Sequence, residues 1–161
     1  GHGETFCSFL HTERKVTWSA QRVHGITTEQ LADAPSLLSL WPETKRLLGD
    51  RAVVAHGHGT EKRFLRAYPG HSFGPWIDTL NLSRAAWPTA DCHSLGDLCQ
   101  QLGLTARVES LAPAGQWHDA LFDAIASLVI LEHLVASFAL SEKALDVLLR
   151  PDLSAYHSHR R

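Results

Sequence analysis

The stretch Trp117-His118-Asp119-Ala120-Leu121-Phe122-Asp123-Ala124 decides how this chain is read. It opens the longest apolar segment, residues 121–140, whose titratable side chains are Asp123, Glu132 and His133. Burying a carboxylate or an imidazole costs free energy unless it is paired or used, so a histidine and two aspartates, His118, Asp119 and Asp123, at the start of a buried helix point to chemistry. His118 and Asp123 cannot share one face of a continuous helix, because that separation turns their side chains about 140° apart. They can meet if His118 precedes the helix and Asp119 stands near its cap. A capping Asp119 with a surface histidine is the plainer alternative, and the spacing by itself does not separate the two.

Around this stretch the chain has 161 residues, enough for one domain with its own core. Its 44 % hydrophobic and 20 % charged content are globular values. Three charged or titratable residues inside the apolar run, with no flanking positive bias, favour a buried helix over a membrane span. No basic-then-apolar leader is read at the N-terminus. The three cysteines, Cys7, Cys92 and Cys99, have neither zinc-site spacing nor the look of a disulfide framework, so a reducing, cytoplasmic setting is expected. A net charge of −2 argues against a wrapping nucleic-acid coat, though not against an enzyme with acids in its site and a local basic patch.

Taken in order, residues 4–12 read as a strand through Phe6, Phe9 and Leu10, followed by a polar connection. Val23-His24-Gly25-Ile26-Thr27 reads as a tight turn into a helix capped by Thr27 or Thr28, with Glu29 or Gln30 in its first turn. Pro35 suits a first helical position, Pro42 is expected to break or kink that segment, and Gly49 ends it. Ala52-Val53-Val54-Ala55 is a short buried strand running into His56-Gly57-His58-Gly59, with Thr60 as cap of the next helix. Pro75-Trp76-Ile77-Asp78-Thr79 reads as a strand turning into a helix that stops before Pro88. Ser94 caps a helix closed by Gly103. A loop with Pro113 and Gly115 leads to the long helix, and Ser141 caps a last short one before Pro151. Strands alternating with helices make the class α/β, with sites where strands end and helices begin. Residues 1–150 are read as the domain and 151–161 as a mobile polar tail.

In order and spacing these segments resemble the DnaQ-like 3′–5′ exonucleases of the DEDDh group, across residues 3–135. The turn at 23–27 is similar to the family's V-H-G-I-T. Residues 52–56 with Phe64-Leu65 resemble its second motif, A-H-N-x-x-F-D-x-x-F-L, and Trp76-Ile77-Asp78-Thr79-Leu80 its I-D-T segment. His93-Ser94-Leu95, Leu98 and Leu102-Gly103 resemble its H-S-L helix, and His118 to Asp123 its third motif, H-x-A-x-x-D-A. Two departures stand out. Gly57 and Glu61 occupy the places of the second motif's asparagine and aspartate. The first motif, D-x-E, has no counterpart: Glu4 lies too close to Val23, and the residues from Gly3 match the family's third strand.

The resemblance implies an RNase H-like mixed sheet flanked by helices, here without its first strands. It implies removal of nucleotides from 3′ ends of DNA or RNA, single strands being expected, with two Mg²⁺ or Mn²⁺ ions. His118 would be the general base, Asp123 a metal ligand, and Glu61 the substituted second-motif acid, against a plain solvated glutamate. A free imidazole near pKa 6.5 suits that base role. Lys62, Arg63 and Arg66 are candidate phosphate contacts, weighed against an ordinary charged face. His24 and His93 read as structural, Asp78 as a cap or strand-end residue. His56 and His58 could instead form a two-histidine metal pair, but no third ligand stands at a telling spacing. The competing reading is an inactive DnaQ-like module that binds nucleic acid or a protein partner, and the oligomeric state is open.

Overall fold

The computed structural model describes residues 3–152, 154 and 156. Most of the 151–161 tail therefore lies outside the described residues. The chain folds as helices around a two-stranded parallel sheet. Strand β1 (Val53–Ala55) pairs with β2 (Trp76–Asp78) in the register Val53↔Trp76, Val54↔Ile77, Ala55↔Asp78. Parallel strands need a crossover, and helix α4 (Gly59–Leu65) lies within it.

Before the sheet come α1 (Trp18–His24), α2 (Thr28–Ala32) and α3 (Trp41–Leu48). The Val23–Thr27 turn forms as read. Gly25 takes a left-handed φ of 71° to end α1, and Thr27 builds a capping box with Gln30 to start α2. Helix α1 itself replaces the expected polar connection. Pro42 does not break a helix: it sits in the first turn of α3, where its missing N–H costs nothing, after a 3-10 turn at Leu38–Leu40. Pro35 accordingly stands in a loop.

The strand expected over residues 4–12 does not form. The segment is exposed and carries no regular structure. A strand requires a ladder partner, and this stretch is held instead by His11, whose backbone N–H donates to Pro35 O and whose Nδ1 donates to Ala32 O, both at 2.9 Å. Glu4 adds an exposed ion pair with Arg46.

After the sheet, Asp78 caps α5 (Thr79–Ala86). Helix α6 (Leu95–Gln101) follows, then α7 (Thr105–Leu111), which the sequence reading took for loop. Helix α8 (Ala120–Ser137) is the scaffold of the domain. It is long and apolar enough to cross a membrane, yet it packs on α5, α6, α7 and β1 and buries Phe122, Ile125, Ala126, Val129, Ile130 and Leu134. One core cluster joins Leu98, Cys99, Leu104 and Val108 to its first half; another joins Ile77, Leu82, Ala85 and Ala86 to Leu134. The last short helix, α9 (Asp146–Leu149), has Leu145 rather than Ser141 at its N-cap.

Candidate functional site

Asp119 stands at the N-cap of α8 in extended conformation, and its Oδ2 accepts a hydrogen bond from the Gln116 N–H at 2.9 Å. That turn leaves His118 outside the helix with a φ of 76°, a region non-glycine residues seldom occupy. The folded-back backbone directs the His118 N–H to Asp123 Oδ1 at 3.3 Å. Histidine and acid thus meet through the His118 backbone, with Asp119 at the cap and the imidazole left in solvent. The histidine is exposed and Asp123 half-buried.

Burial pushes the Asp123 carboxyl above its ordinary range; the His118 hydrogen bond and the charges of His118 and His56 oppose this, while Asp119 adds to it. The site therefore holds a carboxylate whose ionised form a nearby cation would stabilise. The thiol of Cys99, buried behind it, is pushed up to about 11 by burial and by the Asp123 charge, so it stays a neutral packing group.

His56 leaves the end of β1 toward this region. Its Nε2–H donates to His93 O at 2.8 Å, so Nδ1 is an acceptor and takes the hydroxyl proton of buried Thr79 at 3.0 Å. The other acceptor within reach of that hydroxyl, Ala55 O, is farther, at 3.3 Å. Burial holds the His56 pKa below its usual value, in keeping with a neutral ring. His56 ties the end of β1 to the segment before α6. His58 instead faces Asp78 Oδ2 at 3.7 Å and accepts from Lys62 Nζ at 3.0 Å, so the two histidines have separate partners. Asp78 is saturated by the N–H groups of Gly57, Leu80 and Asn81 and by the Asn81 amide, a structural cap as expected. His24 likewise serves its turn, its Nδ1 accepting from the Ile26 N–H.

A cavity of about 700 Å³ opens beside His118 and Asp123, lined also by Leu95, Asp97, Gln100, Thr105 and Trp117. Trp117 packs edge-on against Phe122 with ring centroids 4.8 Å apart and lies over Gly96, where a Cβ would touch its ring at 3.7 Å. Ser94 does not cap α6 through its side chain; its hydroxyl donates to Asp97 Oδ2 at 2.6 Å. The polar lining from α6 and α7 was not legible in the sequence because it forms only where these helices pack beside the start of α8, and α7 itself carried little signal of a helix. Only the apolar spacing of Leu104, Val108 and Leu111 marks it.

Of the expected site residues, the structure brings together His118 and Asp123. Glu61 is exposed in the first turn of α4 and does not line this cavity. Gly57 holds a φ of 79°, and a Cβ there would meet Leu80 Cδ2 at 3.3 Å. Thr60 lies within α4 rather than capping it. Lys62 and Arg66 flank a second, smaller cavity, while Arg63 turns to the ring of Phe64. Among the described residues no three His, Cys, Asp or Glu side chains converge as metal ligands. The donors present do not by themselves fit a two-ion centre.

Comparison with known proteins gives the family. Residues 1–131 match the exonuclease family RNase_T. The chain belongs to the DnaQ-like exonuclease family. It is 30 % identical over 129 residues to a DNA polymerase III subunit epsilon-like protein of Rhodobacter capsulatus, covering 78 % of this chain and 18 % of that protein. It is 28 % identical over 134 residues to the PolC-type DNA polymerase III of Bacillus subtilis, covering 80 % and 9 %. The chain thus spans under a fifth of the length of these curated relatives. Its fold resembles that of Exonuclease X, solved in complex with 5′ overhanging duplex DNA, with a TM-score of 0.67 and 24 % identity, covering 90 % of this chain and 78 % of that one.

Proposed function

We propose that the chain carries the third-motif corner of a divalent-metal-dependent 3′–5′ exonuclease acting on DNA or RNA ends. The observation that carries this reading is the backbone reversal at His118, which turns its N–H onto the half-buried Asp123 carboxylate and leaves its imidazole exposed. In this reading His118 takes the proton from a water as its oxygen forms a bond to phosphorus, and the bond from phosphorus to the 3′ oxygen of the shortened strand breaks. Asp123 would hold a divalent cation, Mg²⁺ or Mn²⁺, which would supply charge stabilisation to the reacting phosphate, and Glu61 would be the second acid of the same chain. Two such ions would need further carboxylates, because the described residues supply no complete set of ligands.

Lys62, Arg63 and Arg66 on or next to α4 are proposed contacts to the substrate's phosphates. Free cysteines at positions 7, 92 and 99 are in keeping with a reducing, cytoplasmic setting, which belongs to the same proposal. A second reading, a nucleic-acid-binding or partner-binding module without activity, is favoured by one observation: Glu61 stands apart from the cavity that His118 and Asp123 line.

Single-stranded DNA and RNA labelled at the 5′ end, incubated with the protein and Mn²⁺ or Mg²⁺, separate the two. Progressive shortening from the 3′ end, stopped by EDTA, is the expected result. Retained binding with no metal-dependent shortening supports the inactive module.

A further inference from the structure

A second cavity, about 240 Å³ in volume, shares no lining residue with the one at His118 and Asp123. It is lined by Lys62, Leu65, Arg66, His71, Phe73 and Trp76. Lys62 and Arg66 are four positions apart at the end of α4, so their side chains lie on one face.

The aromatic wall opposite is held in place. The Trp76 indole N–H donates to Phe73 O at 2.9 Å, and Phe73 stands edge-on to Trp41 and Tyr68 at centroid distances of 5.8 and 6.4 Å. Gly74 lies so close to the indole that a Cβ would approach Trp76 Cδ1 to 2.8 Å. His71 Nδ1–H donates to Tyr68 O at 3.1 Å, which leaves its Nε2 available.

The charges of this wall and helix are not balanced locally. Lys62 Nζ lies 5.3 Å from the Trp76 ring centroid and donates to His58, while among the described residues the Arg66 guanidinium takes no hydrogen-bonding or ionic partner. Among the described residues neither is paired with a carboxylate, whereas Arg46 and Arg107 both are. Two unneutralised cations beside fixed aromatic rings suit a ligand that is anionic at one end and planar at the other. The volume admits one ring and its phosphate and is too small for a duplex.

We propose that this cavity holds a single nucleotide unit of a single strand, its phosphate on Arg66 and Lys62 and its base against Trp76 and Phe73. It is an anchoring subsite apart from the hydrolytic one. This rests on the nucleic-acid reading above but does not require that the chain be active.

The test is binding of fluorescein-labelled oligothymidylate by anisotropy, with EDTA present so that nothing is cleaved. For a strand of about twelve nucleotides, Arg66→Ala should weaken binding about tenfold and reduce the slope of log affinity against log salt by about one. Arg66→Lys keeps the charge without the fork and should fall between. An Arg66→Ala variant that binds the strand with unchanged affinity and salt slope overturns the proposal, as does a wild-type protein that fails to bind it. Preferential capture of a phosphotyrosine peptide would assign the cavity to a protein partner and also overturn it. Separate turnover assays keep the two readings apart: an Arg66 effect without any nuclease activity would sustain the subsite and remove the enzyme.

Discussion

At the scale of single residues the site depends on one unusual backbone dihedral. His118 can reach back to Asp123 because its φ is positive, and the strain of that conformation, about 1–2 kcal/mol for a non-glycine residue, is held by the Asp119 turn. Substituting Asp119 by alanine removes the acceptor of the Gln116 N–H. It should lower nuclease activity by disordering His118, with an accompanying stability loss of about 1 kcal/mol, readable in paired turnover and urea-melt measurements.

Asp123 gives a signed pH dependence. Its folded pKa is raised by burial, so its contribution favours the folded state most at pH below its unfolded value and is lost as pH rises through the folded one. Asp123→Asn should therefore leave the protein equally or more stable near neutral pH, and its melting temperature should fall less between acid and neutral pH than that of the wild type. His56 acts oppositely to make acid unfavourable. Its folded pKa is depressed by burial, so its contribution is fully present above the unfolded value and declines as pH falls through and below that value. His56→Gln should flatten the decline of stability just below pH ~6.5, measured by thermal melts at stepped pH.

The elements show what can be read ahead and what cannot. The break before α8, the Thr27 cap and the Asp78 cap are local events, decided by side chains reaching the nearest free N–H groups. All three were legible in residue types and spacing, whereas spacing left two arrangements open for His118 and Asp123, and only the family resemblance favoured their meeting. The irregular course of residues 4–12 was not legible, since Phe6, Phe9 and Leu10 suggest a strand's faces but cannot supply its ladder. Nor was the fit of Gly115 under Phe122: a Cβ at position 115 would meet Phe122 Cδ2 at 2.8 Å and Cβ at 3.2 Å. Gly115→Ala should cost about 1–3 kcal/mol and lower the melting temperature by several degrees, since overpacking at the base of α8 moves a buried ring. A calorimetric scan showing an unchanged midpoint would refute this account of the loop.

Over the whole molecule, α8 is the column on which both core clusters and the cavity at His118 and Asp123 are mounted. Family, class and the order of landmarks were readable because each landmark is a short motif at a strand or helix end. The polar lining drawn from α6 and α7, and the Lys62–Trp76 cavity, were not, because they arise only when segments distant in sequence pack together. The central claim is that the His118–Asp123 corner is chemical rather than structural. It is tested most directly by comparing wild-type protein with Asp123→Asn in metal-dependent shortening of a 5′-labelled strand, with melting temperatures measured on the same samples. The account predicts activity lower by orders of magnitude in the variant, with a midpoint within a few degrees of wild type. Equal activity in the two proteins would contradict it.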